Sequence, residues 1–153
     1  MKVKVSRCQD VVVKTRIREV TKFILPKLFK SNDRLLNNVC VTVKIDNDLT
    51  KKEKALGLCY WTDDRYRPRR FMVVMSENQS KREFITTLIH ELVHVKQYAV
   101  GDLRDYCSGA AKWKKRVYEI HPDDPNCLNS PWEKEAYRVS QELYNKYCAK
   151  TKK

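Results

Sequence analysis

The segment from Ser80 to Gly101 constrains the fold more than any other part of the sequence. It opens with Ser-Lys-Arg-Glu, in which Ser80 and Glu83 have the spacing of a helix capping box, and Gly101 supplies a helix stop. Within residues 84–95 only Glu91 is formally charged. A helix that is apolar on nearly all sides packs on both flanks, so the sequence predicts a central helix here. Because burying an unpaired charge is costly, Glu91 must have partners.

A metal-binding pattern surrounds that glutamate. His90, Glu91 and His94 match His-Glu-x-x-His. Residues four apart on a helix differ by about 40° in azimuth, so both imidazoles can hold one zinc ion. Glu91, rotated by about 100° from His90, can flank the metal and act as general base toward a zinc-activated water. A coincidental pair is the simpler alternative, but this chain has only three histidines and two of them are here.

A catalytic zinc site needs a third protein ligand and one open position. The metzincin continuation requires a glycine three residues and a histidine six residues after His94, where this chain has Gln97 and Val100. Peptide deformylases require an upstream Glu-Gly-Cys-Leu-Ser segment, whereas Cys59 lies in Gly-Leu-Cys-Tyr-Trp. Both classes are therefore excluded. The remaining candidates for the third ligand are Glu135, Glu133 and His121.

The rest of the chain predicts an α+β fold in one domain covering residues 1–153. A first helix spans 10–30, with Pro26 near its end, and a last helix runs from about Trp132 to about Cys148. Strands are expected at 39–45, 55–61 and 70–75, the last two forming a hairpin. These strands predict a small, mostly antiparallel three-stranded sheet, and the region after Gly101 is expected to be irregular.

Two separated segments carry a resemblance to a known family. HELVHVKQYAVGDL and SPWEKEAY, with Trp113 between them, resemble small phage-encoded metallopeptidases that look related to SprT-like and minigluzincin domains. The chain lacks the third histidine that SprT-like proteins have after the motif helix. The resemblance implies a zincin-like fold, and it favours Glu135, followed by Ala136, as a gluzincin-type third ligand. It also implies that Arg70 to Met75 is the edge strand that pairs with an extended peptide substrate.

Composition bounds the partners and the location. The formal net charge of +13 favours an anionic partner, either nucleic acid or an acidic protein, and the segment from Arg65 to Arg70 is basic and follows aromatic residues. The six cysteines include no Cys-x-x-Cys pair, and the first ten residues do not read as a secretory leader. We therefore expect reduced thiols and a cytoplasmic monomer, in the host cytoplasm if the protein is phage-encoded, without a membrane partner.

The sequence thus predicts a zinc-dependent metallopeptidase with Glu91 as general base and His90, His94 and Glu135 as metal ligands. Tyr137, His121 and Arg138 are candidates for stabilising the oxyanion or binding substrate. One alternative is a non-catalytic module in which zinc is a structural staple and the basic surface binds nucleic acid or an acidic protein. Another is a zinc hydrolase that acts on a non-peptide amide.

Overall fold

Helices and strands follow one another in an order that the sequence predicts only in part. The computed structural model describes residues 1–30, 32–106, 109–120 and 128–151. They form a single α+β domain whose elements are β1 (Lys2–Ser6), α1 (Val11–Leu28), α2 (Asp33–Asn38), β2 (Cys40–Ile45), α3 (Leu49–Glu53), β3 (Gly57–Trp61), β4 (Arg70–Met75), α4 (Lys81–Val100), β5 (Leu103–Tyr106), β6 (Ala110–Trp113), β7 (Arg116–Glu119) and α5 (Pro131–Thr151).

The larger sheet contains four strands in the order β1-β2-β4-β3. β1 pairs with β2 and β2 with β4 in parallel, while β3 and β4 form the predicted antiparallel hairpin. The expected strands therefore do not make a mostly antiparallel three-stranded sheet, but belong to a mixed one. The difference arises from two parallel pairings, that of the unpredicted β1 with β2 and that of β2 with β4. Such a pairing leaves no turn pattern in the sequence.

The position of β4 corrects one expectation about the substrate strand. β4 lies between β2 and β3, so both of its edges are already paired. Arg70–Met75 is therefore not the edge strand, and β3 takes that place. The face of β3 that carries Gly57, Cys59 and Trp61 packs toward α4, where the Trp61 ring centroid lies 4.8 Å from that of Tyr98.

Helix α4 is the central element, as predicted. It packs against α1, α5, β3 and β4. The Ser80 hydroxyl accepts a hydrogen bond from the Glu83 amide, and the Glu83 carboxylate accepts one from the Ser80 amide. Gly101 ends the helix at a φ of 81°, in the left-handed region. Leu88, Ile89 and Leu92 are fully buried, and each such side chain contributes about 1.5–3 kcal/mol through loss of apolar surface.

The region after Gly101 is a second sheet rather than the irregular segment expected from its sequence. β5, β6 and β7 form an antiparallel meander of four-residue strands. Strands this short give too few alternating positions for a pattern to emerge. This sheet packs against the start of α5. The ring centroids of Trp113 and Tyr118 lie 6.4 and 5.9 Å from the ring centroid of Trp132. Among the helices that the structure describes, none combines the length and apolarity needed to cross a bilayer.

Candidate metal centre

The two motif histidines converge on one point. His90 and His94 lie one turn apart on α4, and their Nε2 atoms are 3.1 Å from each other. Both side chains are largely shielded, with 13% and 9% of their surfaces exposed. The burial of α4 on its other flanks leaves this face directed at the first turn of α5. The spacing argument is therefore confirmed as far as the placement of the imidazoles.

The third side chain at that point is Glu133, not Glu135. One Glu133 carboxylate oxygen lies 3.1 Å from His90 Nε2, and the other lies 3.1 Å from His94 Nε2. His90, His94 and Glu133 form the group that could hold a metal ion within the described part of the chain. Residues two apart on a helix differ by about 200° in azimuth, so only one of the two glutamates can face the imidazoles. The prediction that Glu135 is the third ligand is corrected, because the structure brings Glu133 to the imidazoles instead.

Glu133 is one of the three candidates from the sequence, but it ranks behind Glu135 there because it lies off the buried stripe of α5. It precedes Tyr137 by one turn, and Tyr137 is 56% exposed. The Glu133 side chain, 13% exposed, therefore lies at the rim of the core rather than in it. The four-residue spacing of Glu133 and Tyr137 predicts that they share one face of α5. That face is directed at the histidines, because the Tyr137 ring centroid lies 4.6 Å from that of His90.

The three side chains fit a zinc ion chemically and in size. Two imidazoles and a carboxylate are a ligand set of catalytic zinc sites. At a tetrahedral zinc with bonds of about 2.0–2.1 Å, neighbouring ligand atoms lie about 3.3 Å apart. The two Nε2 atoms lie 3.1 Å apart, close to that value, and each lies 3.1 Å from a different oxygen of Glu133. With one ligand atom taken from each residue, all three atoms lie within 4.8 Å of one another. Three protein ligands leave a fourth position for water or substrate.

The electrostatics of the cluster favour a cation. Burial lowers the pKa of His94, but its hydrogen bond to Glu133 and the charges of Glu91 and Glu133 outweigh this and raise the pKa to about 9. Burial raises the pKa of Glu133, yet hydrogen bonds from the two histidines lower it to about 2. The cluster therefore favours positive charge, which a proton supplies in the metal-free protein and a metal ion could supply instead.

Glu91 lies where the sequence argument places the general base. Only 6% of it is exposed. Burial raises the pKa of its carboxyl, and the charges of His94 and His90 oppose that rise. A carboxylate with a raised pKa is a better proton acceptor near neutral pH than an ordinary surface glutamate.

Gly57 of β3 lies against this base and was not singled out from the sequence. A Cβ atom at that position would stand 2.9 Å from Glu91 Oε1 and 2.7 Å from Thr87 Cγ2. The edge strand therefore approaches the motif helix as closely as backbone can. A glycine inside a strand is the sequence signal for such an approach.

Of the three candidates for stabilising the oxyanion or binding substrate, the structure describes two, and these differ in their distance from the cluster. Tyr137 lies beside His90, and burial together with the charges of Glu133 and Glu91 raises its pKa, which keeps its hydroxyl protonated as a donor. Arg138 instead donates to Glu142 at 2.7 Å on an exposed face, away from the cluster. His121 lies outside the described residues, so its candidacy stays a prediction.

The basic segment after β3 serves the fold in part. Arg69 donates to the Ala99 carbonyl at 2.7 Å, near the end of α4, and the Asp63 carboxylate accepts from the amides of Arg69 and Arg70. Arg104 of β5 stacks over the Tyr66 ring at 4.1 Å. Several of these side chains thus hold the hairpin against α4 and β5, and binding of nucleic acid or an acidic protein stays a prediction.

Cys8, Cys40, Cys59 and Cys148 are free thiols. Burial raises the pKa of Cys59 far above its usual range, which makes it an unreactive neighbour of Glu91. Cys107 and Cys127 lie outside the described residues.

No family model, curated protein or solved structure gives a significant match to this chain. Any assignment of function therefore depends on the geometry of the cluster and on the sequence motifs.

Proposed function

We propose that this protein is a zinc-dependent metallopeptidase of gluzincin type with a zincin-like fold. The observation that carries the proposal is the convergence of His90, His94 and Glu133, with Glu91 buried beside them. Two histidines from one helix, a glutamate from a later helix and a base next to the first histidine are the parts that zinc-assisted amide hydrolysis requires. Phage origin and a cytoplasmic location stay expectations from the sequence.

His90, His94 and Glu133 would hold the zinc ion. When bound, zinc would act as a Lewis acid that acidifies a water molecule and polarises the substrate carbonyl. Glu91 would accept a proton from that water as its oxygen bonds to the carbonyl carbon. Glu91 would then pass the proton to the amide nitrogen as the carbon–nitrogen bond breaks, leaving an acid and an amine. The neutral Tyr137 hydroxyl is the candidate donor to the developing oxyanion.

The edge strand gives a reason to propose a peptide substrate. Within the part of the chain that the structure describes, β3 pairs only with β4, so its other edge is available to an extended chain by β-augmentation. Along β3, Gly57 lies against Thr87 and Glu91 of α4 while Trp61 stacks on Tyr98 further along the same helix. A peptide added to this edge would therefore run past the metal ligands, with its backbone held by main-chain hydrogen bonds.

Two variants test the proposal. Purified protein should contain about one zinc per chain and cleave members of a mixed peptide library. His94→Ala should lose the zinc, while Glu91→Gln should keep it and lose hydrolysis. Glu142→Ala, an exposed glutamate on α5, is the matched control and should behave as the unaltered protein. Full zinc content in His94→Ala, or undiminished cleavage by Glu91→Gln, would refute the assignment.

The non-catalytic alternative predicts different results. A protein in which zinc is only a staple would lose its fold when the metal is removed and would cleave no peptide. If its basic surface binds nucleic acid, the affinity should fall steeply between low and moderate salt, because binding releases counterions. Glu91→Gln would then leave every measurable property intact.

A further inference from the structure

We propose that Gln97 and Glu135 are positioning residues that orient the metal ligands through a hydrogen-bonded chain, called here the Glu135–Gln97–His94 relay. The inference rests on the proposed zinc site and adds a second layer to it. It also gives a role to Glu135, which was expected to bind the metal directly. None of the relay's atoms other than the His94 ring would touch the metal.

The relay is continuous and buried. Gln97 is fully buried on α4. Its side-chain oxygen lies 2.8 Å from Nδ1 of His94, on the ring edge opposite the metal cluster. Its side-chain nitrogen donates to the Glu135 carboxylate at 3.0 Å. A buried amide whose two ends are both engaged has a single orientation available to it.

That orientation fixes the tautomer of His94. The amide nitrogen of Gln97 faces two acceptors, the Glu135 carboxylate and the Trp132 carbonyl at 3.1 Å, so the nitrogen end cannot point elsewhere. The oxygen end therefore faces His94, and the Nδ1 of His94 must be the donor. In the neutral imidazole, the lone pair is then on Nε2, the atom that faces His90 and Glu133. The ring is thus prepared to bind a metal through Nε2.

The same amide also positions the third ligand. The Trp132 carbonyl that accepts from Gln97 belongs to the residue immediately before Glu133. Gln97 therefore connects the backbone at the start of α5 to α4, and it sets the distance between His94 and Glu133. One side chain would thus position two of the three ligands, which gives a reason for the fully buried glutamine at this place in α4.

Glu135 supplies the charge at the far end of the relay. Its second carboxylate oxygen lies 3.8 Å from Nζ of Lys114, in the β6–β7 turn. A carboxylate behind an amide polarises the amide oxygen, and this raises the basicity of the imidazole that donates to it. Lys114 is half exposed, so it balances the Glu135 charge only partly. The relay thus joins the second sheet to the metal centre.

Zinc affinity of the purified protein, measured by competition with a chelator, tests the relay. Gln97→Met and Glu135→Ala should each weaken zinc binding by about 10- to 100-fold, the usual cost of losing a hydrogen-bond partner behind a metal ligand. Glu135→Gln should recover part of that loss, because its amide oxygen can still accept from Gln97 although the negative charge is gone. Glu142→Ala is the control on the same helix and should bind zinc as the unaltered protein does.

A second measurement separates positioning from a structural role. In the NMR spectrum of the folded protein, the Nδ1 proton of His94 should be protected from exchange, and Gln97→Met should abolish that protection. Variants that lower the Tm of the metal-free protein but bind zinc with unchanged Kd and keep the protected proton would overturn the relay. If Gln97→Met does not fold, the Glu135→Ala and Glu135→Gln pair still decides the question.

The two proposals fail in different ways. If the unaltered protein binds no zinc, the metallopeptidase proposal fails and the relay fails with it. If the unaltered protein binds zinc and Glu135→Ala binds it equally well, only the relay fails. Loss of hydrolysis in Glu91→Gln bears on the first proposal alone, because Glu91 takes no part in the relay.

Discussion

Gly57→Ala should separate metal binding from hydrolysis. The new methyl group would stand 2.7 Å from Thr87 Cγ2 and 2.9 Å from Glu91 Oε1, whereas ordinary contacts begin at 3.4 Å. The two neighbours must therefore retreat by about 0.7 and 0.5 Å. Thr87 cannot rotate freely, because its hydroxyl donates to Gln79 at 2.9 Å. Part of the displacement is then forced onto the Glu91 carboxylate.

The expected cost follows from overpacking. Adding one methyl group to a close-packed site costs about 1–3 kcal/mol, which lowers the Tm of a chain of this size by roughly 2 to 12 °C. Misplacing a catalytic group by a fraction of an ångström is costly for rate, and peptide cleavage should fall by roughly 10- to 100-fold. Zinc affinity should stay unchanged, because the three atoms nearest the new methyl group belong to Thr87 and Glu91 and not to a proposed zinc ligand.

Thr87→Ala provides the matched background. Thr87→Ala removes the Cγ2 atom, so adding Gly57→Ala to that variant should cost less stability than adding it to the unaltered protein. The contact of the new methyl group with Glu91, and the loss of cleavage, should persist. Thermal unfolding, chelator competition and peptide cleavage on all four proteins complete the double-mutant cycle. If Gly57→Ala is as stable and as active as the unaltered protein, the close approach of β3 to the base is not as described.

Three further predictions concern the metal. Glu133→Ala should weaken zinc binding far more than Glu142→Ala in a chelator competition, and equal affinities would remove Glu133 from the ligand set. Chelation should lower the Tm by roughly 5 to 11 °C relative to protein in zinc at 100 times its Kd, since such binding adds about 2.7 kcal/mol. Metal-free protein should lose stability as pH rises from about 6.5 through about 9, because the raised pKa of His94 stabilises the fold only while the ring is protonated; a flat urea-unfolding profile over that range would contradict this.

The sequence predicts the features that local patterns encode. The capping box, the glycine stop and the single charge of residues 84–95 lie within one segment, and the two histidines one turn apart need only helical geometry to converge. The proximity of Gln97 to His94 is also predictable, because the two residues are three apart on a buried face of the same helix. The partners of Gln97 on α5 are not predictable, since they lie more than thirty positions away.

What the sequence could not give depends on how elements dock. Whether Glu133 or Glu135 meets the imidazoles is decided by the rotation of α5 about its axis, which the packing of Trp113 and Tyr118 around Trp132 helps to set. The choice of edge strand likewise depends on the parallel pairing of β2 with β4, between residues thirty apart. Parallel pairings between distant strands leave no turn motif in the sequence from which they could be predicted.

The open edge of β3 has a consequence for how copies of this protein meet. A strand edge with no partner among the described residues can accept the same strand of another molecule as well as the proposed peptide, and such pairing is the first step of edge-to-edge aggregation. A net charge of +13 opposes such an encounter by mutual repulsion. Salt at about 1 M shortens the screening length to about 3 Å and removes that protection. A peptide bound at this edge, as proposed, would restore the protection by covering the strand, so the peptide-bound protein should also stay dispersed.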